Sequence, residues 1–285
     1  MSVDKNIIKV YYIELLNAGD VFGKFLVENL VDAKLLQSDP GSTNNPHVYQ
    51  VTGSIASDST QESIILGTGV ISKKHNIKAF KECHIVRGKY TLEKIKTSFP
   101  NFDTSKIILG DPGLTFSMFV DDLKVPKKYE FGILLHYIDN NKLREHFSDS
   151  CLSQVLIIDI ATDNLRDLAE KMLSCENIIT SSLHGIIFSH SLEIPVIWVR
   201  LNKTQLPVDD IKFYDYLSAL NIEQNNYLCN TLISKLNYHN LKNLRKLSAD
   251  KNILNVKKNE IINTLIKVFN NDGYTIKNKF RNRIN

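Results

Sequence analysis

The chain has little of what marks several common protein classes. Its 285 residues hold four cysteines, Cys83, Cys151, Cys175 and Cys229, and no two of them form a CxxC pair. That spacing excludes a zinc knuckle, and scattered thiols suit a reducing, cytoplasmic setting. No apolar run reaches the ~18 residues that would suggest a membrane span. Met1 to Leu16 carries Asp4, Lys5, Lys9 and Glu14 and shows no signal-peptide core. No dense Lys/Arg stripe with interleaved aromatics appears, so no nucleic-acid partner is expected. The full GxGxxG fingerprint is missing too, which argues against a dinucleotide. His, Cys and acidic residues form no ligand cluster, and neither a metal nor another cofactor is expected.

What is present is a globular composition. The chain is 43% hydrophobic with a net charge of +4, enough for one large or two modest cores and mildly suited to an anionic ligand. Short β-branched runs alternate with amphipathic stretches. Strands are expected at Ile7–Leu15, Ser63–Leu66, Cys83–Val86, Ile107–Leu109, Phe131–His136 and Val155–Ile158, with a weaker one around Val48–Val51. Helices are expected from Val21 to about Leu35 behind an Asp20 cap, from Thr91, and from an Asp163 cap to about Leu173. Another is expected over Phe213–Leu220. The alternation runs once on each side of a charged stretch around Pro126. That pattern predicts two Rossmann-like α/β halves with parallel sheets facing a cleft, residues 1–125 and 126–240. Residues 241–285 read as a helical extension in two pieces, ending in a frayed basic tail from Lys277.

The centre of this pattern is Asn177 to Val199. It reads as strand, tight turn at Ser181-Ser182, short helix, then a strand restarted by Pro195. His184 falls in the first turn of that helix, where free N–H groups and the helix dipole suit an anion. Ser181 and Ser182 are placed to cap the helix or to bind phosphate or carboxylate oxygens. A packed core histidine with two ordinary caps fits the same pattern. Arg87-Gly88 at a strand's end suits a forked grip on an anion, or a solvated surface arginine. Asn17-Ala-Gly-Asp20 would bring backbone close to a ligand, or form a plain turn. Asp111, in a strong turn signal, is expected to brace its loop.

Read together, these segments resemble the polysaccharide pyruvyl transferase family. The resemblance rests on Asn17-Ala-Gly-Asp20, Leu66-Gly-Thr-Gly69, Val86-Arg87-Gly88 with Thr91, and Leu109-Gly-Asp-Pro112. It continues through Gly132-Ile-Leu-Leu-His136-Tyr-Ile-Asp139, Ile178-Ile-Thr-Ser-Ser-Leu-His-Gly-Ile-Ile187, Ile194-Pro195 and Lys212-Phe-Tyr-Asp-Tyr-Leu-Ser218. It implies a GT-B-like fold, phosphoenolpyruvate as donor, and a glycan or lipid-linked oligosaccharide as acceptor. The product would be a pyruvate ketal with phosphate released, formed in the cytoplasm or against the inner membrane surface. Under that resemblance His184, His136 and Lys212 are the expected catalytic residues. Arg87, Ser181, Ser182, Gly185, Asn17, Gly19, Asp20, Gly67 and Gly69 are the expected substrate-binding residues. Many family members have Arg before Leu-His, where this chain has Ser182, which moves anion binding onto Arg87, Lys212 and backbone N–H groups. Two other readings stand beside this one: a nucleotide-sugar glycosyltransferase, and a non-catalytic glycan-assembly protein.

Overall fold

A computed structural model describes residues 5–41, 47–201, 209–222, 231–232 and 235–282. The chain is α/β, with two sheets whose strands are all parallel. The first sheet takes β1 (Ile7–Val10), β2 (Lys34–Gln37), β3 (Val48–Gln50), β4 (Ser63–Leu66), β5 (Glu82–Val86) and β6 (Ile108–Leu109), in the order β2-β1-β3-β4-β5-β6. Its first helices are α1 (Ala18–Leu30) and α2 (Lys89–Ser98). A 3-10 turn, Pro112–Phe119, follows β6, and a largely exposed stretch leads to β7.

The second sheet takes β7 (Tyr129–Leu134), β8 (Leu156–Ile157), β9 (Cys175–Thr180), β10 (Val196–Arg200) and β11 (Thr231–Leu232), in the order β11-β10-β9-β7-β8. Between these strands run α3 (Leu143–His146), α4 (Asp149–Leu152), α5 (Leu165–Leu173), α6 (Leu183–Ser191) and α7 (Ile211–Ala219). In each sheet the second strand lies outside the first and the third strand lies on the first strand's other side. The strand order therefore reverses direction between β1 and β3, and again between β7 and β9. Ligands of open parallel sheets bind beyond the carboxyl ends of strands at such points. All four residues of β4 are buried, as apolar strands covered on both faces must be.

Several expected boundaries move. The first helix starts at Ala18 and ends at Leu30, with Asn17 in the extended conformation of a cap and Asp20 inside the first turn. An acidic group there still meets the positive helix end. Asn164, not Asp163, caps α5, accepting from the Asp167 N–H. β2 was not expected: it is an edge strand, exposed at alternate residues, with Lys and Gln at its ends. The C-terminal helices are α8 (Tyr238–Lys242), α9 (Lys251–Asn271) and α10 (Asn278–Arg281). The frayed tail is corrected as far as residue 282. Phe280 is buried against Phe119 at 5.0 Å between ring centroids, and the Lys277 N–H donates to Leu30 O. Apolar Phe280 overrides the basic composition around it.

α9 returns to the first sheet, where Phe269 packs edge-on against Tyr49 and the Tyr49 hydroxyl donates to Asp272 at 2.6 Å. The largest core also joins the two sheets' layers. Phe22 of α1, Phe116 of the 3-10 turn and Phe188 of α6 form one cluster with centroids 4.8–5.6 Å apart. Cys83, Cys151 and Cys175 are buried free thiols, while Cys229 lies outside the described residues. Among the described residues no helix is long and apolar enough to cross a membrane.

Candidate active site

The site is built where three helices begin. β9 hands the chain to α6 through Ser181 and Ser182. Ser182 is buried and caps α6 by accepting from the Gly185 N–H at 3.5 Å, while its own N–H donates to Thr180 Oγ1. The Ser181 hydroxyl donates to Asp139 Oδ2 at 2.8 Å and accepts from the His136 N–H at 2.9 Å. It thereby ties the ends of β7 and β9 together where the strand order reverses. Gly185 is needed for packing, because a Cβ there would come within 2.2 Å of Thr180 Oγ1. Each of these three expected substrate-binding residues holds the strand–helix turn.

One residue into α6, the His184 ring packs against the first turn of α1. A Cβ on Gly19 would sit 2.0 Å from His184 Nδ1. The other ring nitrogen, Nε2, is buried with no hydrogen-bond partner among the described residues. Burial, and then the charges of Lys212 and Arg87 and the neighbouring His136, push the imidazole down to about 3. The ring is thus neutral at pH 7, chiefly through desolvation, with nearby cations adding to it.

His136 caps the turn Tyr137–Lys142 at the end of β7, its Nδ1 accepting from the Ile138 N–H at 3.4 Å. It is half-buried, and burial with the Lys212 charge lowers it to about 4. Lys212 enters from the first turn of α7. Burial lowers its ammonium to about 8, with Arg87 pushing the same way and Asp20 and Asp139 pushing back. It remains mostly protonated at neutral pH, yet it can release its proton far more readily than an exposed lysine.

The Asn17-Ala-Gly-Asp20 turn supplies the third helix start. Asn17 is buried and donates through Nδ2 to Asp20 Oδ2 at 2.7 Å. The Ala18 N–H donates to Ile160 O across the boundary between the sheets. Burial raises the Asp20 carboxyl, opposed by that hydrogen bond and by Lys212. Asn17, Gly19 and Asp20 therefore do meet His184 and Lys212.

Arg87, Gly67 and Gly69 lie beside them in close packing. Arg87 is fully buried. Its Nε donates to Asp215 Oδ2 at 3.2 Å, Nη1 to Ser54 Oγ at 2.7 Å and to Gly53 O, and Nη2 to Val70 O. The fork expected to grip a donor anion is already filled by protein acceptors. A Cβ on Gly69 would strike the Arg87 guanidinium at 2.5 Å, and Gly67, at φ +136°, sits against the Pro112 ring. Both glycines serve close packing. Asp111 does brace its loop, accepting from the Gly113 N–H at 2.8 Å, and burial raises it to about 6.

Sequence reasoning missed Asp139 and Asp215. Both stand inside the motifs quoted for their basic residues, each three positions after His136 or Lys212. A carboxylate one helical turn from such a residue was the available signal.

Comparison with known proteins follows the same residues. A profile of the polysaccharide pyruvyl transferase family matches residues 41–202, which include His136, Ser181, Ser182 and His184. An uncharacterised protein of Acanthamoeba polyphaga mimivirus is 45% identical over 276 residues, covering 95% of each chain. No solved structure matches. Since the profile spans more than half of the sequence and takes in both ends where the second sheet reverses, the chain belongs to the polysaccharide pyruvyl transferase family.

Proposed function

We propose that the protein transfers the pyruvyl group of phosphoenolpyruvate to two hydroxyls of a glycan sugar as a cyclic ketal, releasing phosphate. The observation that carries this reading is the convergence of three helix first turns, bearing Gly19 and Asp20, His184, and Lys212, beside His136. Helix N-termini and an ammonium suit a substrate with a carboxylate and a phosphate. We read the two sheets as Rossmann-like halves meeting in the GT-B manner, divided near residues 120–130. On this reading the enzyme needs no metal or other cofactor. It works on the cytoplasmic side, where a free or lipid-linked glycan can reach it.

The chemistry requires a proton on the methylene carbon of the donor, which becomes the methyl group. Lys212 holds a proton at neutral pH and is the first source. Donor binding brings negative charge beside His184, which raises its pKa and lets the ring carry a proton as well. C2 then takes up the first sugar hydroxyl, whose proton passes to neutral His136. Phosphate leaves C2, the second hydroxyl closes the ketal, and its proton departs with the phosphate. The protons released by the two hydroxyls balance those gained by the methyl carbon and the phosphate.

The test is ³¹P NMR of phosphoenolpyruvate with purified protein and candidate glycan acceptors. Acceptor-dependent conversion of the donor resonance to inorganic phosphate is expected. Release of a nucleoside diphosphate from a nucleotide sugar instead, with phosphoenolpyruvate untouched, would replace this reading with a glycosyltransferase.

A further inference from the structure

Two of the sequence motifs meet each other rather than a ligand. The N-cap of α2 is Gly88, which has no side chain to accept from the helix's first N–H groups. Its first N–H groups are satisfied by α7 instead. Asp215 Oδ1 accepts from the Thr91 N–H at 3.0 Å, and Ser218 Oγ accepts from the Lys89 N–H at 2.9 Å. Asp215 Oδ2 accepts from the Thr91 hydroxyl at 2.6 Å and from Arg87 Nε at 3.2 Å. Arg87 and Asp215 are both fully buried. A Cβ on Gly88 would lie 1.7 Å from Asp215 O, so only glycine lets the two helices approach this closely. At the other end of α7, the Lys73 N–H donates to Asp209 Oδ2 at 3.0 Å. α7 follows the second sheet's β10 in sequence, yet it is fastened to the first sheet's helix.

We propose that Asp215 is a positioning residue: bound by Arg87 and Thr91, it sets the register of α7 against α2 and so seats Lys212 among His184, His136 and Asp20. Lys212 and Asp215 lie three residues apart, on one face of the helix. A helix is stiff along such a turn, so a bond that fixes one side chain fixes the start of the other. The pair joins the Val-Arg-Gly segment to the Lys-Phe-Tyr-Asp-Tyr-Leu-Ser segment. Each is half of a single buried joint.

The ionisation of Lys212 reports its seat. The groups facing it are Arg87 from the residue after β5, Asp20 from α1, Asp139 from the turn after β7, and His136 and His184. Asp215→Asn makes the two alternatives differ in sign. If α7 stayed in place, the loss of a carboxylate would leave Arg87 unneutralised and push Lys212 below about 8. If Asp215 sets the register, Lys212 slips toward water and climbs from about 8 toward the ordinary 10.5.

The experiment is trace acetylation of the full chain with acetic anhydride across a pH series, read at Lys212 by peptide mass spectrometry. A rise in the Lys212 midpoint in Asp215→Asn is the expected result. A fall or no change overturns the proposal. Should that variant fail to fold, Thr91→Val carries the same test, since it loosens the joint without changing any charge. There too a rise is expected and an unchanged midpoint refutes. Turnover supplies a second arm, which rests on the proposed function. Misplacement of Lys212 should cost up to about 100-fold in phosphate release, and a folded variant with a raised Lys212 midpoint but full turnover would remove Lys212 from the chemistry. Because the acetylation arm needs no substrate, it decides the joint even if the protein proves not to transfer pyruvate.

Discussion

Gly19→Ala is the sharpest perturbation of the site that leaves every functional group in place. The new methyl carbon would lie 2.0 Å from His184 Nδ1 and 2.4 Å from Cγ. Ordinary contact begins near 3.4 Å, so ring and helix must separate by about 1.4 Å. Overpacking of this kind costs about 1–3 kcal/mol. Alanine in place of glycine in a helix returns about 1 kcal/mol. The net loss is about 0–2 kcal/mol, a fall in Tm of at most about 8 °C. Catalysis should suffer more, since a displacement of about 1 Å can cost roughly 100-fold. The assay is the initial rate of acceptor-dependent phosphate release beside thermal unfolding of the same preparation. Gly23→Ala is the companion variant, on the same helix, where the new carbon meets Thr52 Oγ1 at 2.8 Å and no site residue. It should retain turnover. Full turnover in Gly19→Ala would show that the seat of the His184 ring is not needed, and the mechanism would fail with it.

His184→Gln should fold normally and lose roughly 10²–10⁴-fold in turnover, because it keeps a hydrogen bond but cannot carry the proton; a normal rate in the folded variant refutes the catalytic role. Burial depresses His184, His136 and His190 to about 3, 4 and 4, so between those values and about 6.5 the unfolded chain binds more protons than the native one. Stability should therefore be full above about pH 6.5 and fall steadily as the pH drops toward 4, and urea midpoints over that range in wild type and His184→Ala should show a shallower fall in the variant. Tyr49→Phe removes the bond to Asp272 that fastens the end of α9 and should cost about 1 kcal/mol in urea unfolding; no change would mean that this bond adds nothing to the hold on the C-terminal helix. Incubation with EDTA should leave phosphate release unchanged, and a loss restored by one divalent ion would overturn the metal-free mechanism.

The sequence by itself determined the elements and the chemistry-bearing turns. Short β-branched runs such as Ile64-Ile65-Leu66 can satisfy their backbone and bury both faces only as central parallel strands, so period and composition fix them. Ser182 as a cap and Pro195 as a helix stop act within a few residues, where local rules hold. The family was legible because its motifs recur in order along the chain. Tertiary structure alone decided which of the expected site residues come together. Arg87 carries the same charge whether it grips a phosphate or Asp215, and only the folded chain brings Asp215 of α7 to its Nε and Ser54, Gly53 and Val70 to its fork. Gly19 and Gly88 look like any turn glycine until a second helix comes within contact distance. β2 and Phe280 were hidden because edge strands and single anchoring aromatics leave no periodic pattern. The ionisation of His184 and Lys212 likewise belongs to the fold, since desolvation is set by what packs around a group and not by its neighbours in sequence.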